Sequence, residues 1–122
     1  MKNENFLEKI PCRKDTINWT ADENNIVTLE IENKGIFNKI AQILFKKPKI
    51  SYVHLDEMGS FIWQLIDGKT NIIGLGEKVK EHFGESAEPL YPRISKYFQI
   101  LLSYGFVKMV SNYHWQATKI TL

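Results

Sequence analysis

The sequence predicts an α+β fold, winged-helix-like, in which a small antiparallel sheet of three or more strands is followed by a three-helix bundle. Three observations carry this. Two stretches, Ile17 to Ile31 and Lys49 to Leu55, alternate apolar and polar residues as half-buried strands do. Three later stretches between Asp56 and Gly105 repeat apolar residues at spacings of three and four. The connections between them are short and built from Gly, Pro, Asp and Asn. With 122 residues, 43% hydrophobic and 25% charged, the chain has the composition of a globular domain and the length for one core.

Residues 1 to 16 are polar, contain Pro11 and hold no sustained period, so they predict a flexible arm whose end pairs with something later. A domain over 17 to 110 follows. Ile17 and Trp19, then Ile26, Val27, Leu29 and Ile31, predict two strands, with Asp22 to Asn25 as the turn. Phe37, Ile40, Ala41 and Leu44 predict an amphipathic helix at about 36–46, stopped by Pro48, which lacks an amide hydrogen and disfavours helical geometry before it. The third strand runs over Lys49 to Leu55. Asp56 is the expected N-cap of a helix burying Met58, Phe61, Ile62, Leu65 and Ile66, closed by Asp67 and Gly68. Thr70 or Asn71 caps the next, which buries Ile72, Ile73, Leu75, Val79 and Phe83 and ends at Gly84. The longest helix begins after Pro89, carries Ile94, Tyr97, Phe98, Leu101 and Leu102 inward, and ends at Gly105. Phe106 to Val110 closes the domain as a strand. Ser111 to Leu122 fits an extra strand through Tyr113 and Trp115 and a loose tail alike.

Several functional classes are disfavoured by the same residues. Sixteen Lys plus Arg against fourteen Asp plus Glu leave a net charge of +2, far from the excess of a chain that coats phosphate backbones. One cysteine, Cys12, allows no internal disulfide. The N-terminal ten residues hold no signal core, no stretch is long and apolar enough to span a membrane, and the chain is expected to be cytoplasmic. His54, His82 and His114 fall on separate elements, without the spacing of a metal site, so no metal and no cofactor are expected. Cys12 lies beside Arg13 and Lys14, which favour thiolate, yet no base or oxyanion partner accompanies it. Gly74-Leu75-Gly76 begins a phosphate-loop pattern whose third glycine would fall at Val79. No pair of carboxylates stands out as acid and base. The chain is not expected to be an enzyme.

Binding features are better represented. Lys39, Lys46, Lys47 and Lys49 form the strongest positive cluster, which suits a helix C-terminus and, with the amphipathic stretch before it, a membrane surface. Arg93, Lys96 and Gln99 on the longest helix offer a thin phosphate grip for a helix-turn-helix reader of DNA. The third strand, with Lys49 and Ser51, has the character of an edge whose unpaired backbone accepts an added peptide strand. On that reading, Ser51→Pro removes one edge donor.

From Val53 to Val107 the run Leu55-Asp56-Glu57-Met58-Gly59-Ser60-Phe61-Ile62-Trp63-Gln64-Leu65-Ile66-Asp67-Gly68-Lys69-Thr70, the helix ending Phe83-Gly84 and the helix ending Gly105-Phe106-Val107 resemble the PqqD family, named for pyrroloquinoline quinone biosynthesis. With the preceding hairpin the resemblance covers about residues 17 to 110. It implies a winged-helix-like recognition element that holds the leader of a ribosomally made precursor peptide and acts as its chaperone, presenting it to a modifying enzyme, often a radical SAM protein. Carried over by position, it implies a peptide site on Lys49, Ile50, Ser51, Tyr52, Val53 and His54, whose backbone pairs with the leader, and on Arg93, Lys96, Tyr97, Ile100 and Tyr104 of the longest helix. Trp63 matches a core position. Asp56 stands where the family commonly has asparagine, and both residues cap helices. Lys34 to Pro48 is an insertion where the family has a short connection.

The expected function is therefore a non-catalytic, peptide-binding adaptor with two partners, the leader and the modifying enzyme. The alternatives are a winged-helix DNA-binding regulator and a protein-protein interaction domain that takes no peptide. No nucleic-acid partner is expected on the first reading, and the chain is either a monomer or a dimer joined at the edge strand.

Overall fold

The structure, a computed structural model, describes residues 5–32 and 50–111. The helix expected at 36–46, the lysines around Pro48, His114 and the segment from residue 112 lie outside the described residues. The elements in chain order are β1 (Ile10–Arg13), β2 (Asn18–Ala21), β3 (Val27–Glu32), β4 (Ile50–His54), α1 (Glu57–Leu65), α2 (Ile72–Phe83), α3 (Leu90–Ser103) and β5 (Val107–Val110). Single 3-10 turns lie at Phe6–Glu8 and Gly84–Ala87. This is the expected α+β arrangement of a small antiparallel sheet with three helices. The chain forms two compact units, Asp15–Ser60 and a second made of Met1–Lys14 with Phe61–Leu122.

In the first unit β2, β3 and β4 form an antiparallel sheet in that order. Leu29 on the central strand pairs with Trp19 on one side and Val53 on the other. Directly paired residues share a face, so Trp19, Val27, Leu29, Ile31, Ser51 and Val53 make one face, on which Val27 and Leu29 are fully buried. Burying one such side chain contributes about 1.5–3 kcal/mol. The opposite face carries Asn18, Thr20, Thr28, Glu30, Glu32, Ile50, Tyr52 and His54. The β2–β3 turn forms where Asp22 to Asn25 predict it: Asp22 Oδ1 accepts from the amides of Asn24 and Ile26 at 2.8 and 3.0 Å, and Asn25 takes the left-handed conformation at φ 63°.

In the second unit β1 and β5 pair antiparallel, Ile10 opposite Val110 and Arg13 opposite Val107. The arm expected over residues 1 to 16 thus contains a strand. Four residues including a proline are too short to display an alternation, and the partner lies at the far end of the sequence. The Lys14 amide donates to Phe106 O at 3.1 Å, which sets the phase of the ladder. Pro11 opposite Met109 falls where no cross-strand bond forms, so its missing amide costs the pairing nothing.

The helices follow their sequence signals. Asn71 caps α2, its side chain accepting from the Gly74 amide, and Gly84 at φ 63° ends it. Ile72, Leu75 and Val79 from α2, Leu90, Ile94, Phe98 and Leu101 from α3, and Ile62, Trp63 and Ile66 from α1 and its end supply the core. Trp63 is fully buried, and Arg13 lies over its ring at 5.9 Å while donating to its carbonyl at 3.3 Å. Leu102, expected inward, is 40% exposed, because one position beyond Leu101 turns the side chain about 100° off the core stripe.

Candidate functional site

Among the described residues, no strand pairs with the outer side of β4. Which backbone groups face that side follows from one bond. The Leu55 amide donates to Val27 O at 2.9 Å, so Leu55 and Val27 turn their backbone groups toward each other. Antiparallel ladders alternate, and the register pairs Leu29 with Val53 and Ile31 with Ser51. Ser51, Val53 and Leu55 therefore face β3, and Ile50, Tyr52 and His54 direct their N–H and C=O groups outward. The β2 side obeys the same phase, since the Asp22 amide donates to Ile26 O at 3.1 Å. The expectation that Ser51→Pro removes an outward donor is corrected here: the Ser51 amide belongs to the β3–β4 ladder, and Tyr52 carries the outward one.

The end of this ladder is closed by a side chain. Val27 N–H donates not to Leu55 O but to Ser60 Oγ at 2.8 Å, and Ser60 Oγ donates to Leu55 O at 3.2 Å. A hydroxyl, able to accept and donate together, is thus spliced into the last rung. Ser60 is fully buried, in the first turns of α1. Asp56 caps that helix as expected, accepting from the Gly59 amide at 2.7 Å. The sequence does not mark Ser60, whose one signal there is a small polar residue among apolar neighbours.

The side chains of β4 fall in two sets. Tyr52 is 59% exposed, and His54 Nδ1 lies 2.9 Å from Thr28 Oγ1 on the same face. Ser51 and Val53 are half-buried on the other. Lys49, the remaining expected site residue of this strand, lies outside the described residues.

The second set of expected site residues belongs to the other unit. Arg93, Lys96, Tyr97 and Ile100 recur at three and four along α3, so they form one stripe beside the buried one. Tyr104 follows just past the helix. Ile100 and Tyr104 are 45% and 70% exposed, and the Tyr104 ring stacks on Phe106 at 5.5 Å. Arg93 donates to Ser86 O at 2.9 Å. This stripe combines cations at its N-terminal end with exposed apolar surface at the other.

The groups considered for catalysis have structural surroundings. His82 stacks on Phe61 at 4.3 Å and meets Phe83 edge-on at 4.7 Å. Burial pushes the Cys12 thiol above its usual value; Lys108 opposes this and Asp67 adds to it. That corrects the expectation that Arg13 and Lys14 favour the thiolate: Arg13 is directed to Trp63, and desolvation outweighs the nearby cation. No group of three His, Cys, Asp or Glu among the described residues is placed to hold a metal. No described helix is long and apolar enough to cross a membrane.

A family model described as coenzyme PQQ synthesis protein D (PqqD) matches residues 41–107. No curated protein and no solved structure matches the chain. The matched span runs through β4, all three helices and the first residue of β5, the segment that holds the outward rungs, the Asp56 cap and the α3 stripe. It covers more than half of the 122 residues, and the chain belongs to the PqqD family.

Proposed function

We propose that this protein is a non-catalytic adaptor that takes the leader of a ribosomally made precursor peptide as an added strand on β4 and presents it to a modifying enzyme of the radical SAM kind. Membership in a family named for coenzyme PQQ synthesis supports a peptide-binding adaptor at family level. The observation that carries the finer reading is the phase of β4, which directs the backbone groups of Ile50, Tyr52 and His54 away from β3. The α3 stripe of Arg93, Lys96, Tyr97, Ile100 and Tyr104 is a second surface we assign to the peptide. Its cations suit acidic leader residues, and its exposed Ile100 and Tyr104 suit apolar ones.

The test is an NMR titration with peptides encoded by short reading frames beside the gene. Amide shifts concentrated at Ile50, Tyr52 and His54 and along Arg93 to Tyr104 are expected. Tyr52→Pro removes an outward donor without touching the β3–β4 ladder, and loss of one such bond weakens binding roughly two- to tenfold. A peptide that binds Tyr52→Pro as tightly as the parent protein would sink strand addition at this edge.

A further inference from the structure

We infer that Tyr52 and Glu30 make the β4 edge selective for a basic residue in the added strand, an inference that rests on the strand-addition reading above. A strand paired with the outward rungs sets residues opposite Ile50, Tyr52 and His54, and directly opposed residues share a face. For these three that face is the solvent side of the sheet, where Tyr52 stands directly across from Glu30 and Ile50 across from Glu32. Asn18, Thr20, Thr28 and His54 complete the face, so its formal charge at neutral pH is acidic and no Lys or Arg belongs to it among the described residues.

Tyr52 is 59% exposed on this face. A Lys or Arg opposite it brings a cation to the ring face. Glu30 lies one strand further in, about 10 Å from the added backbone, a span that a long basic side chain shortens to the range of a screened ion pair. An acidic residue at the same position meets Glu30 with like charge and gains nothing from the ring. Residues opposite Ser51 and Val53 fall on the other face, next to those half-buried side chains and on the same side of the sheet as the buried Val27 and Leu29, which suits apolar residues there. The sheet therefore fits an alternating apolar and basic segment with its cation opposite Tyr52. Its sign is opposite to that assigned to α3, so the two surfaces take different parts of a peptide.

The experiment is selection of a display library of random ten-residue peptides on the full chain, followed by mapping of the selected peptides by amide shifts. Peptides that shift Ile50, Tyr52 and His54 are expected to be enriched in Lys and Arg at one alternating position. Replacing that residue with Ala is expected to weaken binding roughly two- to fivefold. Glu30→Lys is expected to move the enrichment to Asp and Glu, and Glu30→Gln to weaken it without reversal, the Tyr52 ring being left in place, which guards against a charge-reversed sheet that fails to fold. Peptides that map to β4 but show no charge preference, or a preference that Glu30→Lys leaves in place, overturn this inference and leave strand addition standing. A selection that yields no peptide perturbing β4 overturns both.

Discussion

Ser60 Oγ stands between Val27 N–H and Leu55 C=O, in a place where neighbouring rungs join strand to strand directly. Removing it by Ser60→Ala leaves a buried amide without its acceptor, and an unsatisfied buried donor costs about 1–3 kcal/mol. A thermal unfolding midpoint lowered by several degrees is the expected result, and an unchanged one would mean that backbone closes the rung instead. Asp67 is a second residue whose side chain replaces backbone pairing. Its carboxylate accepts from the amides of Lys69 and Thr70 at 2.9 and 2.8 Å and from the Thr70 hydroxyl at 2.9 Å. Burial works against the charge, but these donors outweigh it and hold the carboxyl below its usual 3.8. Because the folded state binds this proton less readily than the unfolded chain, the turn's contribution is complete well above pH 3.8 and fades as pH falls through the folded value. Melting curves from pH 7 to pH 2 are expected to show Asp67→Asn converging on the parent protein at the acid end. Parallel curves would assign the turn's stability to geometry rather than to the charge.

At the level of the strand, the alternation in Ile50 to His54 was legible as two faces, whereas the direction of each backbone group was not. Faces follow from the side-chain period alone; the phase of the hydrogen bonds depends on which residue of β3 stands opposite, and that is fixed by register. Hence the alternation alone points to Ser51 as an edge donor, whereas the register makes Tyr52 the outward one. Hydrogen exchange of the free protein separates the two sets: the amides of Val53 and Leu55 are expected to exchange slowly and those of Tyr52 and His54 quickly. Equal protection of all four would place another strand on the outer side of β4. The helices were more legible, since Asp56, Asn71, Gly84 and Gly105 mark ends that the structure keeps, and a cap is a local affair of a few residues.

Across the whole chain, what the sequence concealed is what lies far apart along it. β1 pairs with β5 from opposite ends of the chain, and four residues with a proline carry no pattern that announces such a partner. Cys12 shows the same limit: its sequence neighbours Arg13 and Lys14 are cationic, yet burial raises its thiol above the usual value, with the distant Lys108 opposing and Asp67 adding to it. The fold class and the Trp63 core position needed only local periodicity and the family pattern, which itself begins at residue 41 and so has nothing to say about β1, β2 or β3. The outward rungs of β4 have one more consequence. A strand with two unlike faces keeps them in place only if it shifts along β4 by two residues at a time, about 6.6 Å, since a shift of one turns every side chain over. Whatever pairs there is held at discrete stops, and the chain beyond it is delivered in steps of alternate residues rather than at any position along a continuum.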